Sequence, residues 1–391
     1  MGGGPLILNP RNRKARDIEL EVSESATGRV EFPLIGTDRK RVKGLDVACI
    51  IPLLQACPGD ETESLFACAD RTRKGFVGDS VHIRGIIEFS NYCIRNCMYC
   101  GLRRDNRKLR RYRMTPDEIL AASENGIQSG YRTIILQSGE DPYYSASDIA
   151  RIVEGIKAFG DVAVTLSVGE RSRSEYATMK AAGADRFLLK HETADAELYR
   201  RLHPGASLET RIECLQNLKG LGFQVGSGFI IGLPGQDIST IAKDIALLKE
   251  LDVEMAGIGP LIPHPDTPLV SCPAGDVLMT LKAVAVARLV LPHANLPVTT
   301  ALSTLRQDGR ELALSCGANV IMPNITPAKY RELYEIYPDS ASLKDPEDGG
   351  IREIAVMLEA MGRRISTTRG DSVRWESGES MTGEMTDPKE M

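Results

Sequence analysis

No apolar run in the sequence approaches the roughly 20 residues that a helix needs to cross a bilayer. There is no surplus of positive charge either. Lys and Arg number 48 against 53 Asp and Glu, a formal net charge of −5, which gives no footprint for nucleic acid or an anionic membrane. The start, Met1-Gly-Gly-Gly-Pro-Leu-Ile-Leu, lacks the length and basic lead of a secretory signal. The expectation is a cytoplasmic protein whose scattered thiols stay reduced. Histidine is scarce, and His82, His191, His203, His264 and His293 share no metal-ligand spacing, so they are read as hydrogen-bonded side chains. No cysteine follows Cys316. What remains is ordinary: 42% hydrophobic and 26% charged residues in a chain of 391, enough for one large α/β domain with short appendages.

Against this background one stretch stands out, Glu88-Phe-Ser-Asn-Tyr-Cys93-Ile-Arg-Asn-Cys97-Met-Tyr99-Cys100-Gly101, which holds three of the nine cysteines spaced Cys-x3-Cys-x2-Cys. Thiolates hold iron–sulfur clusters, and a four-iron cluster usually takes four. Three local thiolates leave one iron open to a small molecule. A zinc site would want a fourth Cys or His at close spacing, but the next cysteine is Cys214. Buried, unreactive cysteines are the bland alternative, and a polar Asn/Arg loop is an unusual place for three of them.

From Val81 onward an apolar run of strand length, a loop and an amphipathic helix repeat. The runs are His82–Ser90, Arg132–Ser138, Val162–Val168, Arg186–Lys190, Gln224–Ile231, Met255–Pro260, Leu296–Thr300 and Asn319–Met322. Thr115-Pro116-Asp117-Glu118 is a capping box with proline at the first helical position, and Ser147 is read as opening the next helix. Eight such units predict an α/β fold of the (β/α)8 TIM-barrel type. An incomplete six-stranded barrel is the runner-up. The expected layout is a loosely held arm over 1–42, a helical lead-in over 43–80, the barrel over 81–365 and a frayed tail over 366–391. In such a barrel reacting groups collect where strands end and loops begin. The cysteine loop, Gln137-Ser-Gly-Glu140, Ser167 to Glu170, Lys190-His-Glu-Thr193, Thr299, Thr300 and Asn324 all fall there.

The cysteine spacing, with an aromatic before the third cysteine, resembles that of the radical S-adenosylmethionine (SAM) enzymes. Longer stretches resemble the HydE family of [FeFe]-hydrogenase maturases within them: Ile87-Glu-Phe-Ser-Asn, Tyr99-Cys-Gly-Leu-Arg-Arg-Asp-Asn106, Leu136-Gln-Ser-Gly-Glu-Asp-Pro-Tyr-Tyr144, Gly257-Ile-Gly-Pro-Leu-Ile-Pro-His-Pro-Asp-Thr-Pro268 and Gly317-Ala-Asn-Val-Ile-Met-Pro-Asn324. The resemblance covers roughly residues 45 to 337. It implies a [4Fe-4S] cluster on Cys93, Cys97 and Cys100, and SAM chelated to the open iron and cleaved by one electron to a 5′-deoxyadenosyl radical. It implies that Tyr99, Gln137, Ser138, Gly139, Glu140, Ser167, Glu192 and Arg211 hold SAM. Gln137, Thr165, Lys190, Met255, Ile262, Thr299, Thr300, Tyr334 and Tyr337 would face the substrate, with Met255 and Lys190 at the chemistry.

The implied substrate is an Fe(CO)2(CN)-cysteine complex, supplied by a HydG-like maturase, with a HydF-like acceptor downstream. Two departures qualify the likeness. Lysine stands at 190 where the family often has arginine, which keeps the charge and loses the fork. Tyr337 to Gly350 holds none of the late cysteines that bind an auxiliary cluster in some members. A radical SAM mutase acting on an amino acid, such as a methylornithine synthase, is one rival. A non-catalytic iron–sulfur scaffold is another.

Overall fold

The computed structural model describes residues 46–344, 346 and 350–376, preceded by two short strands, β1 (Ser23–Glu24) and β2 (Val30–Glu31), paired antiparallel. The rest of the expected arm and residues 377–391 lie outside the described residues.

The lead-in is two helices, α1 (Val47–Leu54) and α2 (Asp60–Val77). The Asp46 carboxylate caps α1 by accepting from the Cys49 N–H. The spacing of Ile50, Leu53 and Leu54, and of Leu65, Cys68 and Ala69, puts each set on one buried helix face.

Two strands follow at once, β3 (Ser80–Ile83) and β4 (Gly85–Ser90). Then come α3 (Pro116–Gln128), β5 (Thr133–Ser138), α4 (Ala146–Ala158), β6 (Ala163–Ser167), α5 (Arg173–Ala181), β7 (Arg186–Leu188), α6 (Ala196–Leu202), α7 (Leu208–Gly220), β8 (Gln224–Ile231), α8 (Ile238–Glu250), β9 (Met255–Pro260) and α9 (Val277–Val290). Strands β4 to β9 form one parallel sheet in chain order. Their near-continuous apolar runs are what a parallel sheet covered by helices requires. The α3 capping box forms as predicted: Thr115 Oγ1 accepts from the Glu118 N–H at 3.3 Å and Glu118 Oε2 accepts from the Thr115 N–H at 2.8 Å. The next helix is capped by Ser145, two residues before the expected opening at Ser147.

The ring closes through irregular staves. Asn295 bridges Met255, Pro297 bridges Val320, and β10 (Val320–Ile321) pairs in parallel with β3, while Asn324 bridges Ile86. The chain therefore forms a (β/α)8 TIM-type barrel, with differences from expectation at its seam. The run His82–Ser90 breaks at Arg84, so that β3 pairs with β10 and with β11 (Arg364–Ile365) while β4 pairs with β5. The run Leu296–Thr300 makes only bridges, because Pro297 has no N–H to give a ladder, and Thr300 already opens α10 (Thr300–Leu305). Beyond it lie α11 (Gly309–Ser315), α12 (Ala328–Arg331), a 3-10 turn at Ala341–Lys344, α13 (Ile351–Ala360) and α14 (Val373–Glu376).

The first part of the expected frayed tail is instead built into the barrel floor. Arg84, fully buried, donates to the Gly370 carbonyl at 2.9 Å. Arg186 donates to the Arg369 carbonyl at 2.8 Å and to the Asp371 carboxylate at 2.5 Å, and Gln224 donates to the same carboxylate at 2.7 Å. Inward-facing charges at the narrow end need partners, and this segment supplies them. Among the described residues no helix is long and apolar enough to cross a membrane.

Candidate active site

The barrel encloses a cavity of about 390 Å³, lined from β4 to β9 and by the loops at their C-terminal ends. Cys93, Cys97 and Cys100 all open onto it as free thiols. The loop that carries them is pinned from several sides. The Ile94 N–H donates to the Glu140 carbonyl at 2.9 Å, the Met98 N–H to the Leu202 carbonyl at 2.9 Å and the Gly101 N–H to the Ile336 carbonyl at 2.8 Å. Two glycines permit this closeness: a Cβ on Gly101 would strike the Glu335 carbonyl, and one on Gly139 the Tyr92 carbonyl.

The thiols fit an iron–sulfur cluster. Burial pushes all three up, Cys100 to about 12, and the Cys97 and Cys100 thiolates are raised further by their neighbouring cysteines. Without a cation the three stay protonated, and holding all of them as thiolates at once needs positive charge among them. Among the described residues no three His, Cys, Asp or Glu side chains converge as a single ion requires, whereas cluster thiolates sit on separate irons. The Glu140 N–H also points at Cys93 Sγ, 3.4 Å away.

Around the cysteines stand the residues implied to hold SAM. Ser138, Gly139, Glu140, Ser167, Glu192 and Arg211 line the cavity, with Gln137 and Tyr99. Arg211, on the first turn of α7, faces the cavity: its Nε donates to Glu170 Oε1 at 2.6 Å and its Nη1 to the Lys190 carbonyl at 2.6 Å. Arg95 bridges Glu140 and Glu170 at 2.7 and 2.6 Å. Glu192 is held at φ 65°, a left-handed conformation uncommon for a residue other than glycine. Burial pushes its carboxyl up, but the charges of Lys190 and Arg211 outweigh that and keep it below the usual range.

Tyr99 rests on His203, with its hydroxyl 2.8 Å from Nε2. His203 Nδ1 lies 2.9 Å from the Tyr199 carbonyl, which can only accept. The ring therefore carries its proton on Nδ1 and accepts from Tyr99 at Nε2. Burial holds its pKa down at about 4, so the neutral form persists.

The substrate-side set is only partly assembled. Gln137, Lys190, Ile262, Thr299, Thr300, Tyr334 and Tyr337 line the cavity. Ser340 and Ser342, in the stretch without late cysteines, complete the wall. Lys190 is not a free cation, since its Nζ lies 3.1 Å from Glu192 Oε2.

Met255 and Thr165 are not in the wall. Met255 is the first residue of β9, two and four positions before Gly257 and Gly259, which do line the cavity. Its sulfur accepts from Arg84 Nη1 at 2.9 Å, toward the barrel floor. Thr165 lies two residues before Ser167 on β6, one layer deeper, and its fully buried hydroxyl has no partner among the described residues.

Sequence reasoning gave no role to Glu88 and Arg95, placed Glu170 and Asn324 only among strand-end polar residues, and read His203 only as a hydrogen-bonded side chain. The signal for Glu88 was a charge inside an apolar strand run. For Arg95 and Glu170 it was their position at strand-end loops. Nothing local marked His203.

The sequence profile of the Radical SAM superfamily matches residues 87–248. The chain is 53% identical over 302 residues to the [FeFe] hydrogenase maturase subunit HydE of Thermotoga maritima, covering 77% of this chain and 86% of that protein. It is 28% identical over 304 residues to the 3-methylornithine synthase of Methanosarcina barkeri strain Fusaro, covering 77% and 85%. The crystal structure of the methylornithine synthase PylB superposes with a TM-score of 0.72 at 26% identity, over 82% of this chain and 94% of that one.

Proposed function

The chain belongs to the HydE family of the radical SAM enzymes, and from that premise we propose that it acts on an Fe(CO)2(CN)-cysteine complex during assembly of the [FeFe]-hydrogenase active-site cluster. Its setting would be the cytoplasm, between a HydG-like supplier and a HydF-like acceptor. The observation that carries the reading is one continuous cavity, with three cysteines and the SAM-type residues at its loops and a wall of neutral donors beyond them.

Cys93, Cys97 and Cys100 would hold a [4Fe-4S] cluster. When bound, the cluster and SAM supply a 5′-deoxyadenosyl radical, chemistry that side chains lack. The chain's own task is to bind, orient and exclude water. The Arg211 guanidinium, fixed by Glu170 and the Lys190 carbonyl, offers its remaining edge to the methionine carboxylate. Glu192 would accept from ribose hydroxyls, and Tyr99, oriented by His203, would serve the adenine. Gln137, Thr299, Thr300, Tyr334 and Tyr337 offer hydroxyl and amide donors to cyanide and carboxylate groups, and Ile262 packs beside them.

The test is release of 5′-deoxyadenosine from SAM by the anaerobically reconstituted protein. The iron–cysteine product of the partner maturase should accelerate it, and free lysine should not. Turnover that depends on lysine would replace this reading with the mutase one. That second reading is favoured by a specific observation, the acidic Glu88 in the cavity wall, because a mutase needs carboxylates facing ammonium groups.

A further inference from the structure

We propose that Glu88 stands in the cavity wall as a neutral carboxyl group whose O–H donates to an acceptor or anionic group of the substrate, so that this residue selects against ammonium-bearing substrates. Its substrate is taken from the HydE-type reading above, whereas the protonation of Glu88 does not depend on it.

Glu88 lies on β4, in register with Gln137 of β5, and opens onto the cavity from deep inside the barrel. Its surroundings fix one carboxyl oxygen and leave the other. Asn324 Nδ2 donates to Glu88 Oε2 at 2.7 Å. The Asn324 amide cannot be turned the other way, because its Oδ1 accepts from the Thr326 N–H at 2.9 Å. Thr326 Oγ1 in turn accepts from the Glu88 N–H at 2.9 Å. One oxygen is therefore occupied as an acceptor by a neutral amide, and a proton on Oε1 has the cavity as its outlet.

The charges around the carboxyl also favour the acid. No cation touches it among the ion pairs of the described residues. Arg331 of α12 acts on it, but the Arg331 guanidinium donates to the Thr326 carbonyl at 3.1 Å. From the other elements the titratable groups that face it are phenols, Tyr112, Tyr334 and Tyr337, and burial pushes all three up, so they stay neutral. The Tyr112 hydroxyl is spent on the Glu88 backbone carbonyl at 2.5 Å. An isolated carboxylate in such a place is costly, and the group neutralises instead. Burial raises Glu88 to about 8, against which Asn324 and Arg331 act only in part.

Neutral or ionised, Glu88 sorts the two candidate substrate classes. A carboxylate would attract the ammonium groups of a diamino acid. A carboxylic acid repels no anion and donates to a cyanide nitrogen or a carboxylate. Because the folded value is raised, the neutral form holds below about pH 8 and is lost as the pH rises through it. Binding of an anionic substrate should then weaken by roughly tenfold per further pH unit.

The experiment is infrared difference spectroscopy of the reconstituted holoenzyme against its Glu88→Gln variant, which keeps the shape and is permanently neutral. The expected result is a protonated-carboxyl C=O band at neutral pH that the variant lacks and that disappears as the pH passes about 8. Alongside it, the ratio of 5′-deoxyadenosine release with and without the partner maturase's iron–cysteine product is followed against pH. That ratio should fall above about pH 8 in the wild type and stay level in Glu88→Gln. Absence of the band at neutral pH overturns the proposal, as does the same fall in both proteins. If the iron complex accelerates release at no pH, it is the substrate reading that falls, and the wild-type infrared titration alone then decides the state of Glu88.

Discussion

Arg211 shows how a single side chain is made ready for a ligand it does not yet touch. Surface arginines on helices are common, and the sequence of α7 alone allows that reading. In the fold its Nε and Nη1 are taken by Glu170 and the Lys190 carbonyl, which holds the guanidinium plane at the cavity edge with Nη2 left for a carboxylate. Truncating one partner of a buried charged hydrogen bond costs about 2–5 kcal/mol. Arg211→Ala is therefore expected to weaken SAM binding at least about tenfold, read by equilibrium titration of the reconstituted protein. Unchanged affinity would return Arg211 to a structural role on Glu170. Arg211→Lys keeps the charge but cannot satisfy Glu170 and the Lys190 carbonyl while presenting an edge, and should fall between the two. The residues that the sequence made legible are those with strand-end polarity in a loop-rich mouth. Those it hid depend on three-dimensional neighbours, as Tyr99 depends on His203, 104 residues away.

At the scale of elements, apolar runs located the regular strands because a parallel sheet covered by helices is apolar along its length. Gln224–Ile231 and Met255–Pro260 match their runs end to end. The seam was not legible, since Pro297 and the break at Arg84 trade ladder bonds for single bridges that no periodicity announces. Least legible was the floor. Arg369-Gly-Asp-Ser372 is polar and reads as solvated tail, yet its partners Arg84, Arg186 and Gln224 are charged or polar residues in strand runs. Arg186 is buried against Asp371, and removing one member of such a pair costs about 3–5 kcal/mol. Asp371→Ala is expected to lower the unfolding free energy by about that much in denaturant titration, and Asp371→Asn by less. Burial alone would raise the Asp371 carboxyl, but Arg186, Gln224 and Arg369 hold it below its ordinary 3.8. Its contribution is therefore present at neutral pH and lost as the pH falls below that value. A stability unchanged in Asp371→Ala would mean that the segment merely rests on the floor.

For the whole molecule the question is how many clusters one chain assembles. The six remaining cysteines are dispersed around the fold: Cys49 and Cys68 on the lead-in helices with Cys57 between them, Cys214 on α7, Cys272 beyond β9 and Cys316 after α11. Cys68 and Cys316 are buried, on α2 and just after α11, and neither lines the cavity. The described part of the stretch that bears an auxiliary cluster in some family members serves the cavity instead, with Ser340 and Ser342 in its wall and the Ala341 N–H on Thr304 Oγ1 at 2.9 Å. Anaerobic reconstitution should therefore give about four irons and four sulfides per chain. Cys93→Ala, Cys97→Ala and Cys100→Ala should each abolish them, because every one of the three lines the same cavity. Alanine at Cys49, Cys57, Cys68, Cys214, Cys272 or Cys316 should leave the count intact. Two outcomes of the iron and sulfide assay would break this picture in different places. Full iron in the triple Cys93, Cys97 and Cys100 alanine variant would move the cluster elsewhere. A count well above four in the unmodified chain, lowered by replacing one of the dispersed cysteines, would mean that distant thiols converge on a second cluster.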